Sequence, residues 1–152
     1  MDIIATLEAQ HRAIAATMLR LLNLTEGFCG PGQAYVIAVE LTRLAHLLRV
    51  HHATEDGAFY PPMMRSTNSA VAVLAAAYRD DGSEISAQVE SFIAQWNSSA
   101  VIDQGFDRFR GELRALVNQV ELNIEREEDE LYPLARALGV DRSPGAQSAV
   151  AA

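Results

Sequence analysis

His51 and Glu55 stand four residues apart, so on a helix the imidazole and the carboxylate project from one face, within reach of a single metal ion. The spacing alone is common on solvated helices. It gains weight because both residues continue an apolar row, Ile37, Leu41, Leu44 and Leu48, and a buried charge without a partner is costly. The row continues past Glu55 to Ala58. Steps of three and four pick out similar rows elsewhere: Ile4, Leu7, His11, Ile14, Met18, Leu21 and Thr25; then Val71, Leu74, Tyr78, Gly82, Ile85, Val89, Phe92 and Trp96. A last row runs Phe106, Phe109, Leu113, Leu116, Val120, Asn123, Glu127, Leu131 and Leu134. The exceptions on these rows are His11, His51, Glu55, Gly82, Asn123 and Glu127.

Four helices must carry them. Breaks fall at Phe28–Gly32, at Tyr60-Pro61-Pro62 followed by Ser66–Ser69, and at Asn97-Ser98-Ser99, while Gly139 closes the last run as a C′ glycine with Val140 as its hydrophobic contact. Alanine, leucine and arginine dominate and no strand-like alternation occurs, so an all-α domain is expected. Short connections imply an antiparallel up-down-up-down four-helix bundle over residues 1–139, with residues 140–152 a flexible tail. At 1.5 Å rise per residue, His11 and His51 lie ~24 and ~27 Å from the far-end turn that joins them, and Gly82 and Asn123 lie ~22 and ~30 Å from theirs. The exceptions therefore share one slice, toward the end holding the chain termini, where bundles build metal and cofactor sites.

Composition narrows the class. The 152 residues include 12 cations, all arginine, against 20 acids, giving a net charge of −8. Such a surface repels phosphate backbones and anionic membranes, so neither nucleic acid nor membrane is an expected partner. No apolar run approaches a membrane span, and the first residues, Met1-Asp2-Ile3-Ile4, lack the basic region of a signal peptide. A single cysteine, Cys29, excludes a disulfide within the chain and makes a reducing, cytoplasmic setting the default expectation.

The segment from His51 to Pro61, His-His-Ala-Thr-Glu-Asp-Gly-Ala-Phe-Tyr-Pro, resembles the H-xxx-E-D…Y-P segment of hemerythrin-like (HHE cation-binding) domains. Asn123 to Pro133 repeats its frame, with asparagine where that family carries histidine, and His11-Arg12-Ala13-Ile14 is similar to the family's first-helix ligand motif. The likeness covers roughly residues 2–138. It implies metal ligands at His11, His51, Glu55 and Glu127. The family's third-helix histidine falls on Gly82 and its fourth on Asn123. In hemerythrins the first two histidines serve one iron and the last two the other, so the losses here gather on one side. The resemblance thus implies one iron, manganese or zinc ion rather than an oxygen-carrying pair, in a protein of oxygen, nitric oxide, peroxide or iron handling. A catalytic role would need an open coordination position and a substrate cavity, for which Gly82 is the one hint in the sequence. Asn123 would be a weak ligand or a hydrogen-bond partner.

Two readings of the layer stand side by side. One is this reduced metal site; the other is a metal-free, hydrogen-bonded layer in a structural or protein-interaction module. Val36, Leu47 and Val50, off the second row, would then form the interaction face, and a homodimer is one form it could take. Gly82 marks either a close helix approach or a vacated ligand position with room for a small molecule. Tyr78, a turn before it, is placed to pack in the core or to hydrogen-bond a carboxylate. His46 is expected in solvent and His52 at a helix or subunit boundary. Glu125 to Glu130 reads as a solvated face apart from Glu127. Asp81 and Glu84 point off the row, Cys29 has no activating neighbour, and Phe92 and Trp96 belong to the remote end of the core.

Overall fold

A computed structural model describes residues 2–141, and all regular structure among them is helical. The helices are α1 (Ile3–Glu26), α2 (Pro31–Thr54), α3 (Tyr60–Met64), α4 (Ser69–Gln95), α5 (Ser99–Gln104), α6 (Phe106–Arg126) and α7 (Tyr132–Ala137). Asp2, Asn68 and Ser98 cap α1, α4 and α5 through side-chain oxygens that accept from backbone N–H groups of the first turn. Gly30 enters α2 at φ 119°, a conformation that favours glycine, and Pro31 follows at the first turn. Gly139, at φ 72°, closes α7. Its N–H donates to the Arg136 carbonyl and that of Val140 to the Ala135 carbonyl, the Schellman pattern, and Val140 packs on the core as expected. The tail reading from residue 142 onward lies outside the described residues.

Two elements depart from the expected breaks. The chain does not leave the helix at Tyr60-Pro61-Pro62: a five-residue π turn, Glu55–Phe59, joins α2 to α3, and the real break comes after Met64. A second π turn, Glu127–Leu131, joins α6 to α7. In each, the tyrosine N–H donates five residues back, Tyr60 to the Glu55 carbonyl and Tyr132 to the Glu127 carbonyl. The cause is the proline that follows. In an unbroken α-helix the rings of Pro61 and Pro133 would meet the carbonyls four residues earlier, those of Gly57 and Asp129, and a wider turn relieves that contact. The extra residue moves the buried face by one position. Ala58 is exposed and Phe59 buried; likewise Leu134 is half-buried while Ala135 is buried. α5 is the other addition, a single short helix begun by Ser98 that covers part of α2 with Ile102 fully buried.

α1 packs against α2 and α6, and α4 also packs against both α2 and α6. Every member of the first apolar row, from Ile4 to Thr25, is buried. The core is divided. One apolar cluster contains Ile14, Met18, Leu41, Leu48, Phe92, Trp96, Phe109 and Val120; the other contains Ile4, Leu7, Phe59, Tyr60, Tyr78, Leu131 and Tyr132. Between them along every long helix sit the exceptions, His11 in α1, His51 and Glu55 at the end of α2, Gly82 in α4, and Asn123 and Glu127 at the end of α6. Val36 and Val50 are exposed, whereas Leu47 packs partly against the core. No described helix is long and apolar enough to cross a membrane.

Candidate metal centre

His11, His51, Glu55 and Glu127 are each at most 2% exposed, and the two carboxylates begin the two π turns. The repeated frame thus places a carboxylate at the last α-helical carbonyl before each widened turn, facing inward, with a tyrosine five residues on. Nε2 of His11 lies 3.2 Å from Nε2 of His51. Glu127 Oε2 is 3.1 Å from the first and 3.9 Å from the second, and Glu55 Oε1 is 3.5 Å from His51 Nε2. One donor atom each from His11, His51 and Glu127 falls within 4.8 Å of the others. Two carboxylate oxygens of this group, Glu55 Oε1 and Glu127 Oε2, are buried without a hydrogen-bond partner.

The far sides of the imidazoles explain why the near sides converge. His11 Nδ1 stands 2.8 Å from Glu128 Oε1, an acceptor, so this nitrogen carries a proton. His51 Nδ1 is 3.0 Å from Gln10 Oε1, again an acceptor. In their neutral forms both rings therefore turn an unprotonated Nε2 toward the other, beside two carboxylates. Two facing lone pairs and two unpartnered carboxylate oxygens call for a positive charge between them, either a proton or a metal ion. The donor set and its outer hydrogen bonds fit a transition-metal ion.

Electrostatics follow from the same crowding. Burial opposes the charge on His11, but Glu127 and Glu128 outweigh it and raise its pKa above the usual 6.5. His51 moves the other way, lowered by burial and by the His11 charge against the pull of Glu127. Burial and the neighbouring charges of Glu127 and Asp56 hold the Glu55 carboxyl well above the usual 4.5. Glu127 is lowered despite its burial, because His11 and His51 contact it. Tyr60 and Tyr132 are pushed up by burial and then by the carboxylates, so both phenols stay protonated. Tyr132 O–H lies 3.2 Å from His11 Nε2, and the Tyr60 hydroxyl is buried without a partner.

Asn123 donates to Glu127 Oε1 at 2.5 Å and so orients the carboxylate, while its own Oδ1 is unpartnered. Tyr78 is placed elsewhere. Its hydroxyl donates 2.5 Å to Glu130 Oε2 and approaches the Arg126 carbonyl, and burial together with Glu130 pushes it up to about 12. It therefore touches none of the four proposed ligands through that hydroxyl. His46 is exposed; His52 is half-buried between α2 and α4, with Nδ1 3.0 Å from Ser86 Oγ. Asp81 pairs with Arg126 away from the centre. The row analysis does not single out Gln10, Glu128, Tyr132 or His52 as site groups. Gln10, His52 and Glu128 each adjoin a row residue, which is the one signal the sequence carries for them: a side chain beside the row reaches sideways to the next helix.

Gly82 opens space. A cavity of about 160 Å³ is lined by His52, Glu55, Tyr60, Arg79, Gly82 and Ser86, so it abuts one of the carboxylates. A Cβ on Gly82 would meet no heavy atom within 4 Å, which removes close helix approach as the reason for glycine. Gly82→Ala should then stabilise the protein by about 1 kcal/mol through helix propensity alone, a rise of ~2–4 °C in a thermal melt. An unchanged or lower melting temperature would count against an open cavity.

Searches of curated proteins and of solved structures returned no match. The family model described as hemerythrin HHE cation binding domain matches residues 2–135. That span takes in both π-turn frames, all six row exceptions and the four long helices. The chain therefore belongs to the hemerythrin HHE cation-binding family.

Proposed function

We propose that the chain binds one divalent transition-metal ion through His11, His51, Glu55 and Glu127, within an antiparallel up-down-up-down bundle. Iron is the first candidate, with manganese and zinc as the others. The observation that carries this reading is the meeting of two imidazole Nε2 atoms, 3.2 Å apart, beside two unpartnered carboxylate oxygens. One ion is favoured over two because Gly82 offers no ligand and Asn123 spends its amide on Glu127. Short connections between the long helices support the up-down path.

A bound ion of this kind supplies Lewis acidity and, if iron, one-electron exchange. The chain's own residues do the rest. His11 and His51 keep their Nδ1 protons on Glu128 and Gln10, which presents both Nε2 atoms inward. Phe59 and Leu131, fully buried, belong to the apolar cluster on one side of the layer. The cavity beneath Gly82 gives a small ligand, such as oxygen, nitric oxide or a peroxide, a way to the Glu55 side, where the free Tyr60 hydroxyl can donate a hydrogen bond. Elemental analysis of protein prepared without a histidine tag, after incubation with Fe(II), Mn(II) or Zn(II), should give about one ion per chain. No uptake would overturn the metal reading, and two ions would overturn the single-ion reading.

A further inference from the structure

The geometry points to Gln10 and Thr54 as positioning residues that hold His51 in its Nδ1–H tautomer, so that Nε2 faces His11 and Glu127 unprotonated. The inference rests on the metal reading only for its purpose. Its content is a hydrogen-bond direction that can be followed from one end to the other. Thr54 Oγ donates to the Val50 carbonyl at 2.8 Å, which uses the hydroxyl's single proton. Toward any other group this oxygen can then only accept. Gln10 Nε2 lies 3.1 Å from it and must be the donor, so the amide cannot turn over without losing that bond. With the amide fixed, Gln10 Oε1 faces His51 Nδ1 at 3.0 Å, and an oxygen with no proton obliges the ring nitrogen to carry one.

The direction is thus set by a backbone carbonyl of α2 and passed through a side chain of α1 back to α2. Both bonds of the Gln10 amide cross the α1–α2 contact, so tautomer and helix packing are fixed together. Outer hydrogen bonds of this type fix ring orientation and raise ligand basicity, and losing one typically costs 10–100-fold in metal affinity. His11 has a charged counterpart in Glu128, a stronger acceptor but a half-exposed one. The His51 side is the neutral one, where tautomer choice depends on the relay.

The test reads the tautomer in metal-free protein, by the ¹⁵N shifts of the His51 ring nitrogens at a pH where the ring is neutral. Wild type should show Nδ1–H. Gln10→Leu should shift the population toward Nε2–H, and Thr54→Val, which frees the amide to turn over, should do so in part. Gln10→Glu keeps an acceptor at the same place and should restore the wild-type pattern. Metal affinity should fall ~10–100-fold in Gln10→Leu and recover in Gln10→Glu. Unchanged ring shifts in both Gln10→Leu and Thr54→Val, in folded protein, would overturn the relay. So would a wild-type ring protonated at Nε2. If wild type shows Nδ1–H and both variants lose it while no metal is taken up, the relay stands and the metal reading falls.

Discussion

His51→Leu should abolish metal uptake while leaving the metal-free protein as stable as wild type, or more stable. Wild type at free metal 100-fold above its dissociation constant should gain about 2.7 kcal/mol, or ~5–10 °C in melting temperature for a chain of this size. The variant should show no such gain. His51 is central because its Nε2 is the atom nearest both the other imidazole and Glu55, at 3.2 and 3.5 Å. Without it, His11 and Glu127 keep each other, Glu55 loses the imidazole nitrogen 3.5 Å away, and a chelating set becomes an ion pair. The metal-free side follows from burial. With the Glu55 carboxyl held protonated by its raised pKa and Glu127 still paired with His11, the substitution leaves no buried charge alone, and leucine would bridge the two clusters that the layer separates. Metal uptake by His51→Leu close to that of wild type would overturn the ligand assignment. Equal melting of wild type with and without metal would favour the metal-free module.

The layer itself was legible in the sequence because helix periodicity and rise are rigid. Every residue of the α1 row is buried, and all six exceptions fall between the two apolar clusters as their distances from the turns require. The π turns were not, although their cause is written at Tyr60-Pro61 and Tyr132-Pro133. A strict three-and-four step has no way to absorb an extra residue, so it continued to Ala58 and Leu134 where the structure buries Phe59 and Ala135. Periodicity sets the depth of Tyr78, which is buried, but not which carboxylate its hydroxyl meets. That hydroxyl turns to Glu130, an acid that periodicity assigns to solvent. Gln10 and Glu128 were hidden for a related reason. Periodicity finds residues that face the core axis, whereas groups that hold the far nitrogen of an imidazole lie beside that axis and reach across a helix contact. The absence of histidine at positions 82 and 123 is plain in the sequence, whereas the cavity between Gly82 and Glu55 required coordinates.

The Glu55 carboxyl should make the stability of the metal-free protein and its metal affinity depend on pH in opposite directions. Burial, Glu127 and Asp56 raise its pKa well above 4.5. A raised pKa means that the folded state binds the proton more tightly than the unfolded chain, so this contribution is fully present below pH 4.5 and is lost as pH climbs through the folded value. His11, raised above 6.5, adds a loss of the same sign beyond that point. His51 and Glu127 are lowered and act oppositely: their contributions are present above 6.5 and 4.5 and fade as pH falls through their folded values. Because these effects overlap, the Glu55 share is best isolated by Glu55→Gln, a neutral isostere of the protonated acid. In the presence of a chelator, the variant should gain on wild type by up to about 1.4 kcal/mol per pH unit, starting near the ordinary carboxylate range and levelling off at the folded pKa of Glu55. Metal loading should run the other way. A metal ion must displace the Glu55 proton, so wild-type affinity should rise ~10-fold per pH unit for that proton over the same interval, and the slope should be shallower in Glu55→Gln. Urea unfolding and metal competition across a pH series measure both. A constant stability difference, or equal affinity slopes in the two proteins, would mean that Glu55 is ionised in the metal-free fold, and the charge between the imidazoles would then have to be balanced without it.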